Sequence, residues 1–459
     1  MNLFAQQIKF EDTEGLEYPE GQLITEGDEG ESVAAAVAEV TEEEAGIAED
    51  ERAMDGLVED EETLSEVQEV VEDDAPKMEH TGLTPVGARL AKIVLSRVVG
   101  KRHANKTLPK MEHFNSRSDA RDATSFVQEG VADALKSFWE ALKAQFKKMW
   151  ERIKSWYIKT FSAAKTLSER AKTVRDRAEG ASATIDKKSF QFGQVKQLAI
   201  GGRLKDVGEF SRALGRVTAI VKEATDVPTE KQLEALENEL DKFQADSTKE
   251  FGQSMGALQG IVRDGFASLG KHADAQHADS KVVESLGGGD KGDAEVTVTG
   301  VLPGDKQLAV VTAKQGSDTI KTLRMSRISF VNTKDKPREV SGDAEAVTLN
   351  ASQIAQLCET IIEGADVIFD YEKAWKRTEK GPDLIIRKID ELVKDATNAN
   401  KDDDNGKSSK ERGIRGIASA VTGFVNRLSG MTAQISGYAM PVYAATLNWC
   451  EGSMRNYKK

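Results

Sequence analysis

Histidines, cysteines and clustered carboxylates are the usual makings of hydrolytic, redox and metal sites, and in this chain they do not converge. His272 and His277 are five apart in HADAQH, without the HExxH frame of a zinc helix, and read as surface residues. Cys358 and Cys450 are the only cysteines; they are too few for a disulfide framework or a cysteine zinc site and fit a reducing compartment. The run DDDNG at 402–406 fails as a calcium loop. With Gly406 at the sixth position, Lys401 falls at the first and Arg412 at the twelfth, where carboxylates are required. VVGKRH lacks the first glycine and the hydroxyl residue of a phosphate loop, and no Gly-x-Ser-x-Gly elbow occurs. The expectation is no enzyme, no cofactor and no metal. A different spacing stands out: PKMEH occurs twice, at Pro76–His80 and Pro109–His113, and the sequences after the two copies are unrelated. A true array would show similarity across its whole period, so the word reads as something recognised by a partner. Scission after glutamate would create new N-termini, which makes Glu79, His80, Glu112 and His113 the candidate cleavage residues.

Charge supports a boundary there. The net charge is −14, yet residues 1–79 hold 27 Asp/Glu against Lys9, Arg52 and Lys77, a net of −24. Residues 80–459 hold the remaining 60 bases and 50 acids, a net of +10. Between the words, 80–112 carry seven bases and one acid. Cutting after Glu112 instead would leave 53 bases and 49 acids, a net of +4. Removing the leader would thus turn a chain repelled by DNA into one that tolerates it.

The elements around these sites follow from patterning. Residues 11–79 are acidic, poor in aromatics and without a steady apolar period, which predicts a disordered or only transiently helical propeptide over 1–79. Leu3, Phe4, Ile8 and Phe10 form a short apolar element at its start. The basic segment 80–112 is an imperfect amphipathic stretch, with Arg97 falling in the face of Val86, Leu90 and Val94. A helical domain is predicted over 113–286. Its clearest stripe is Val131, Leu135, Phe138, Leu142, Phe146, Met149, Ile153, Trp156 and Tyr157, a core or helix–helix face. Lys136, Lys147, Lys148, Glu151, Arg152 and Lys159 lie opposite, as a solvated face. After the linker GGGDKGD, the alternating runs AEVTVTG, KQLAVVTA and IKTLRMSRISFV predict a three-stranded antiparallel meander over 294–331. A C-terminal helical domain spans 346–459, opened by an Asn350 or Ser352 cap. The fold class is therefore mainly α: an elongated helical bundle with a small β meander. No run of about 18 apolar residues occurs, so no membrane span is expected.

The acidic leader, the repeated Lys77-Met78-Glu79 and Lys110-Met111-Glu112, and the helical body together resemble the internal head proteins of giant tailed phages of the phiKZ type. The resemblance implies a virion structural protein, made in the host bacterial cytoplasm and packaged inside the capsid with the genome. It implies a propeptide removed by a prohead protease after glutamate; Lys77 and Lys110 stand where that protease's motif has a small residue. Glu49, Glu59 and Glu66 match an aliphatic-x-glutamate rule similar to that of the T-even phages, and are the weaker candidates in so glutamate-rich a segment. The implied partners are the protease, capsid or inner-body proteins, and genomic double-stranded DNA held weakly and non-specifically. The DNA-facing candidates are Arg89, Lys92, Arg97, Lys101, Arg102, Lys147, Lys148 and Arg152. Two other classes remain open on the residues alone. One is a processed membrane-active effector whose leader masks the basic segment. The other is an uncleaved helical scaffold or adaptor in which PKMEH is a docking motif.

Overall fold

A computed structural model describes residues 28–73, 117–180, 184–226, 229–245, 294–314, 319–333, 344–399 and 407–457, with isolated positions such as Val262, Phe266, Leu269, Gln276, His277, Leu286 and Ser317 between them. Its axis is a pair of long helices. Helix α1 is Asp28–Asp73 and α2 is Arg117–Glu179. α2 has no proline and a single glycine, and its 63 residues give a rod of about 95 Å. The expected stripe is its buried face: Phe138, Leu142, Phe146, Met149, Ile153, Trp156 and Tyr157 are all buried. The side chains of Val131, Leu135 and Lys136 lie outside the described residues.

The short helix α3 (Val195–Leu198), α4 (Val207–Asp226) and α5 (Thr229–Ala245) follow. The C-terminal part supplies α7 (Ala351–Thr378), α8 (Gly381–Ala399) and α9 (Lys407–Met454), after a one-turn-and-more helix α6 (Thr319–Met325) in the β region. α7 begins at Asn350 with a reciprocal capping box: Asn350 Oδ1 accepts from Gln353 N, and Gln353 Oε1 accepts from Asn350 N, both at 2.9 Å. α9 is the central helix. From Ile414 onward most of its residues are buried around the whole circumference, as befits a helix wrapped by others. Small residues make this possible. Ala418, Ala420, Ala433, Ala439 and Ala445 let neighbours come close, and a Cβ on Gly452 would strike the ring of Phe190. α2 packs on α1, α7 and α9, and α1 also packs along α9. An aromatic knot of Tyr157, Phe161, Tyr371 and Trp375 ties α2 to α7, with ring centroids 5.0–6.0 Å apart.

Two small sheets complete the body. β1 (Ser189–Gln191) pairs antiparallel with β6 (Glu345–Val347), bringing the chain after α2 to the entry of α7. The second sheet has the order β2-β3-β4-β5, all antiparallel: β2 is Gln276–His277, β3 Ala294–Val298, β4 Lys306–Ala313 and β5 Arg327–Asn332. The three-stranded meander is present with a fourth, two-residue edge strand before it. The third expected strand is shorter than its sequence suggested, because Thr319–Met325 is helix α6 and only the following residues enter the sheet. The turn VLPGD uses Gly304 at φ 73° and Asp305 at φ 55°. The Asp305 carboxylate accepts from the amides of Gly201 and Gly202, which pins the sheet to the chain after α3.

The acidic segment departs from expectation over Asp28–Asp73, which is continuous helix seated in the core. Residues 1–27 and 74–116, the apolar start, both PKMEH words and the basic segment 80–112 among them, lie outside the described residues. No described helix is long and apolar enough to cross a membrane.

Candidate functional site

The candidate site is the groove between α2 and α9 that α1 fills. α1 holds 19 acids and one base, so elementary electrostatics would keep it in water. Its seat explains why it is not. Read at alternating steps of four and three, Val33, Val37, Val40, Glu44, Ile47, Glu51, Met54, Val58 and Glu61 form one seam. Val40 and Met54 are fully buried, Ile47 is 1% exposed, and Val33, Val37, Leu57 and Val58 are buried with them. Seven such aliphatic chains give a gross burial term on the order of 10 kcal/mol, at about 1.5 kcal/mol or more each.

Three positions of that seam are glutamates, and each meets a different answer. Glu61, 1% exposed, pairs with Arg324 of α6 at 3.1 Å. Glu51 accepts a hydrogen bond from Gln434 of α9. Burial first, then the Asp55 carboxylate, push Glu51 up to about 7 against the pull of Arg427 and Arg327. Glu44 points at Gly437 of α9, where any Cβ would collide with its carboxyl group. Burial alone pushes Glu44 up to about 8. The seam thus carries two carboxyls that favour the neutral form.

Off the seam, acids of α1 meet cations of the body. Asp50, 2% exposed, accepts from Lys148 at 2.8 Å and pairs with Arg152 at 2.9 Å. Arg152 also donates to the Gly46 carbonyl, and Gln145 donates to Asp50 at 3.1 Å. Glu43 pairs with Lys159 at 2.8 Å and, by that hydrogen bond, holds the Lys159 ammonium above its ordinary range. Asp55 pairs with Arg427 of α9 at 2.8 Å; Arg427, 4% exposed, also donates to the carbonyls of Leu323 and Ser326. Burial lowers the neighbouring Arg327, and Arg427 lowers it further. Near the middle of the seat, Trp156 Nε1 donates to the Val40 carbonyl at 3.1 Å.

The other seams of α2 use the same device with better-satisfied partners. Asp390 of α8 accepts from Trp139, Lys143 and Lys394 at 2.9, 2.7 and 2.6 Å. Burial pushes Asp390 up, but those three hydrogen bonds and the Lys143 charge outweigh it and hold the carboxyl at about 2. Lys172 and Arg175 pair with Asp366 and Glu359 of α7, and Arg170 with Glu451 of α9.

Of the residues singled out from sequence, Lys148 and Arg152 are brought together on Asp50, while Lys147 is exposed one step round the helix. The lysine-rich side of α2 is therefore, at Lys148, Arg152 and Lys159, a contact face for α1 as well as a solvated one. Glu49 and Glu59 are exposed on α1 and Glu66 falls within it, so a protease needing extended chain meets helix at all three. Glu79, His80, Glu112, His113, Arg89, Lys92, Arg97, Lys101 and Arg102 lie outside the described residues. Sequence reasoning missed Glu43, Asp50, Asp55, Glu61 and the seam itself. The four-three spacing was its signal, hidden because Glu44, Glu51 and Glu61 interrupt the apolar stripe. Among the described residues no cluster of His, Cys, Asp and Glu could hold a metal ion. Cys358 and Cys450 are buried free thiols, and burial raises Cys450 well above the usual thiol range.

Comparison with known proteins places the molecule. Residues 33–452 match the family model of phiKZ-like phage internal head proteins. No curated protein and no solved structure matches. The match takes in most of the chain, from α1 to the end of α9, and the chain belongs to that family. It is a phage internal head protein, located inside the virion capsid.

Proposed function

Given that membership, we propose that the chain is made as a precursor and matured in the forming head by a prohead protease that cuts after Glu79 or Glu112. The observation that carries this reading is the change in the sign of the charge at the first PKMEH word, −24 before it and +10 after it. Placement supports it too: both words lie between Asp73 and Arg117, the last residue of α1 and the first of α2, so a cut at either would leave both helices whole. The product would be a structural filler or inner-body component beside capsid proteins and tightly packed DNA. Its contacts with DNA would be phosphate contacts, weak, salt-dependent and blind to sequence. Catalysis has no part in the reading.

The test is a phage carrying Glu79→Gln and Glu112→Gln together. Its assembled heads should contain a longer form of this protein than wild-type heads do; an unchanged product would remove both bonds from the account. One observation favours the uncleaved scaffold reading instead: α1 is built into the core, so an acidic segment persisting in the working protein has a place to sit.

A further inference from the structure

We propose that cutting the chain between α1 and α2 does not release α1: Asp28–Asp73 stays seated between α2 and α9 as a separate chain, and the processed protein is a two-chain body. The inference rests on the processing reading above and changes what that processing achieves.

The described contacts of the seat join residues of Asp28–Asp73 directly to residues beyond Arg117, so none of them depends on the bond between Glu79 and His80. Val40, Ile47 and Met54 remain buried against α2 and α9 whether or not Glu79 is joined to His80. The surfaces are also shaped to each other by missing side chains on both partners. Gly46 of α1 gives room to Arg152, which a Cβ there would strike, and Gly437 of α9 gives room to Glu44. A Cβ on Gly423 would meet Val58 at 3.5 Å, an ordinary contact. The backbone itself is read at Trp156–Val40 and Arg152–Gly46. A covalent link between two parts contributes through local concentration, on the order of millimolar for short flexible linkers.

Charge then follows a different course from the bookkeeping of the cut. The cut leaves residues 1–79 as one fragment of net −24, so its retention on the +10 body keeps the whole at −14, the charge of the uncut chain. Lys148, Arg152, Lys159, Arg324 and Arg427 stay paired with Asp50, Glu43, Glu61 and Asp55. The charge inversion is withheld until α1 leaves.

The experiment uses the full chain with a site-specific protease sequence inserted after Glu79. The cut protein is run on native size exclusion at 0.15 M and 1 M NaCl, and each peak is identified by intact mass. The N-terminal fragment should elute with the body at both salts and separate only in denaturant, because the seat is mainly apolar. Ile47→Asp should shift at least ten-fold more of the fragment to the free position. If the wild-type fragment elutes alone at 0.15 M, or leaves at 1 M NaCl, the proposal is overturned. The readout comes from wild-type sequence in the seat, so it stands even if Ile47→Asp does not fold. Because the cut is engineered, its result is independent of where, or whether, the phage protease cuts.

Discussion

Asp390 and Glu44 are both carboxylic acids turned in toward neighbouring helices, and the fold treats them in opposite ways. Asp390 has three donors and is held ionised, at about 2. Glu44 faces a glycine, and burial lifts it to about 8. The difference separates a permanent seam from a conditional one. α8 closes on α2 through an acid that the body satisfies at every pH of interest. α1 closes through a seam in which Glu44 and Glu51 must shed their charge or be penalised for keeping it. An all-apolar seam would hold more tightly; this one holds in register, with its strength open to adjustment.

The contrast can be broken most forcefully at Ile47. Ile47→Asp places a third troublesome carboxyl in the seam and should cost about 3 kcal/mol or more. Hydrogen exchange should then show residues 33–61 losing protection, while 351–378 keep theirs. Next comes Arg427→Met, which strips Asp55 and Glu51 of their shared cation and should cost about 3 kcal/mol by the logic of a broken buried pair. Chemical denaturation would measure it. If the loss falls short of 1 kcal/mol, the buried cation is not what makes α1's acids tolerable.

Titration sharpens the comparison further. Glu44 and Glu51 have raised values in the folded state, so their contribution is complete below the ordinary carboxylate range of about 4.5 and is lost as pH rises through 7 and 8. Asp390 has a depressed value, so its contribution is present above about 4 and lost only as pH falls toward 2. Protection of α1, corrected for intrinsic exchange rates, should therefore fall between pH 5.5 and 8 while that of α8 stays level. Glu44→Gln with Glu51→Gln should stabilise α1 at pH 8 by on the order of 1 kcal/mol and flatten its pH dependence. The smallest effect is at Asp390→Asn, which weakens three partly exposed hydrogen bonds and should cost about 1 kcal/mol at neutral pH.

The same contrast explains what could be read from sequence. The α2 stripe was plain because Phe138, Leu142, Phe146, Met149, Ile153 and Trp156 are apolar at every step. The cap at Asn350 and the alternating strands β3 and β4 were plain because their signals are local. Helix α6 was hidden inside a run that alternates like a strand, IKTLRMSRISFV; the chain turns helical there because the sheet does not take up its first residues. α1 was hidden more deeply. Its composition is that of a disordered tail, and its seam shows only when glutamates are allowed at core positions. They are allowed because Gly437, Gln434 and Arg324 wait on elements far along the chain. The candidate cleavage residues were legible as a repeated word, and the cations that meet the acids of α1 were not, since a lysine paired with a distant aspartate looks like any other lysine.

The most direct test of the account is the intact mass of this protein taken from purified heads. A principal species beginning at His80 or His113 is the predicted result. A principal species beginning at Met1 would contradict it, and would leave α1 as a permanent part of an uncut head protein.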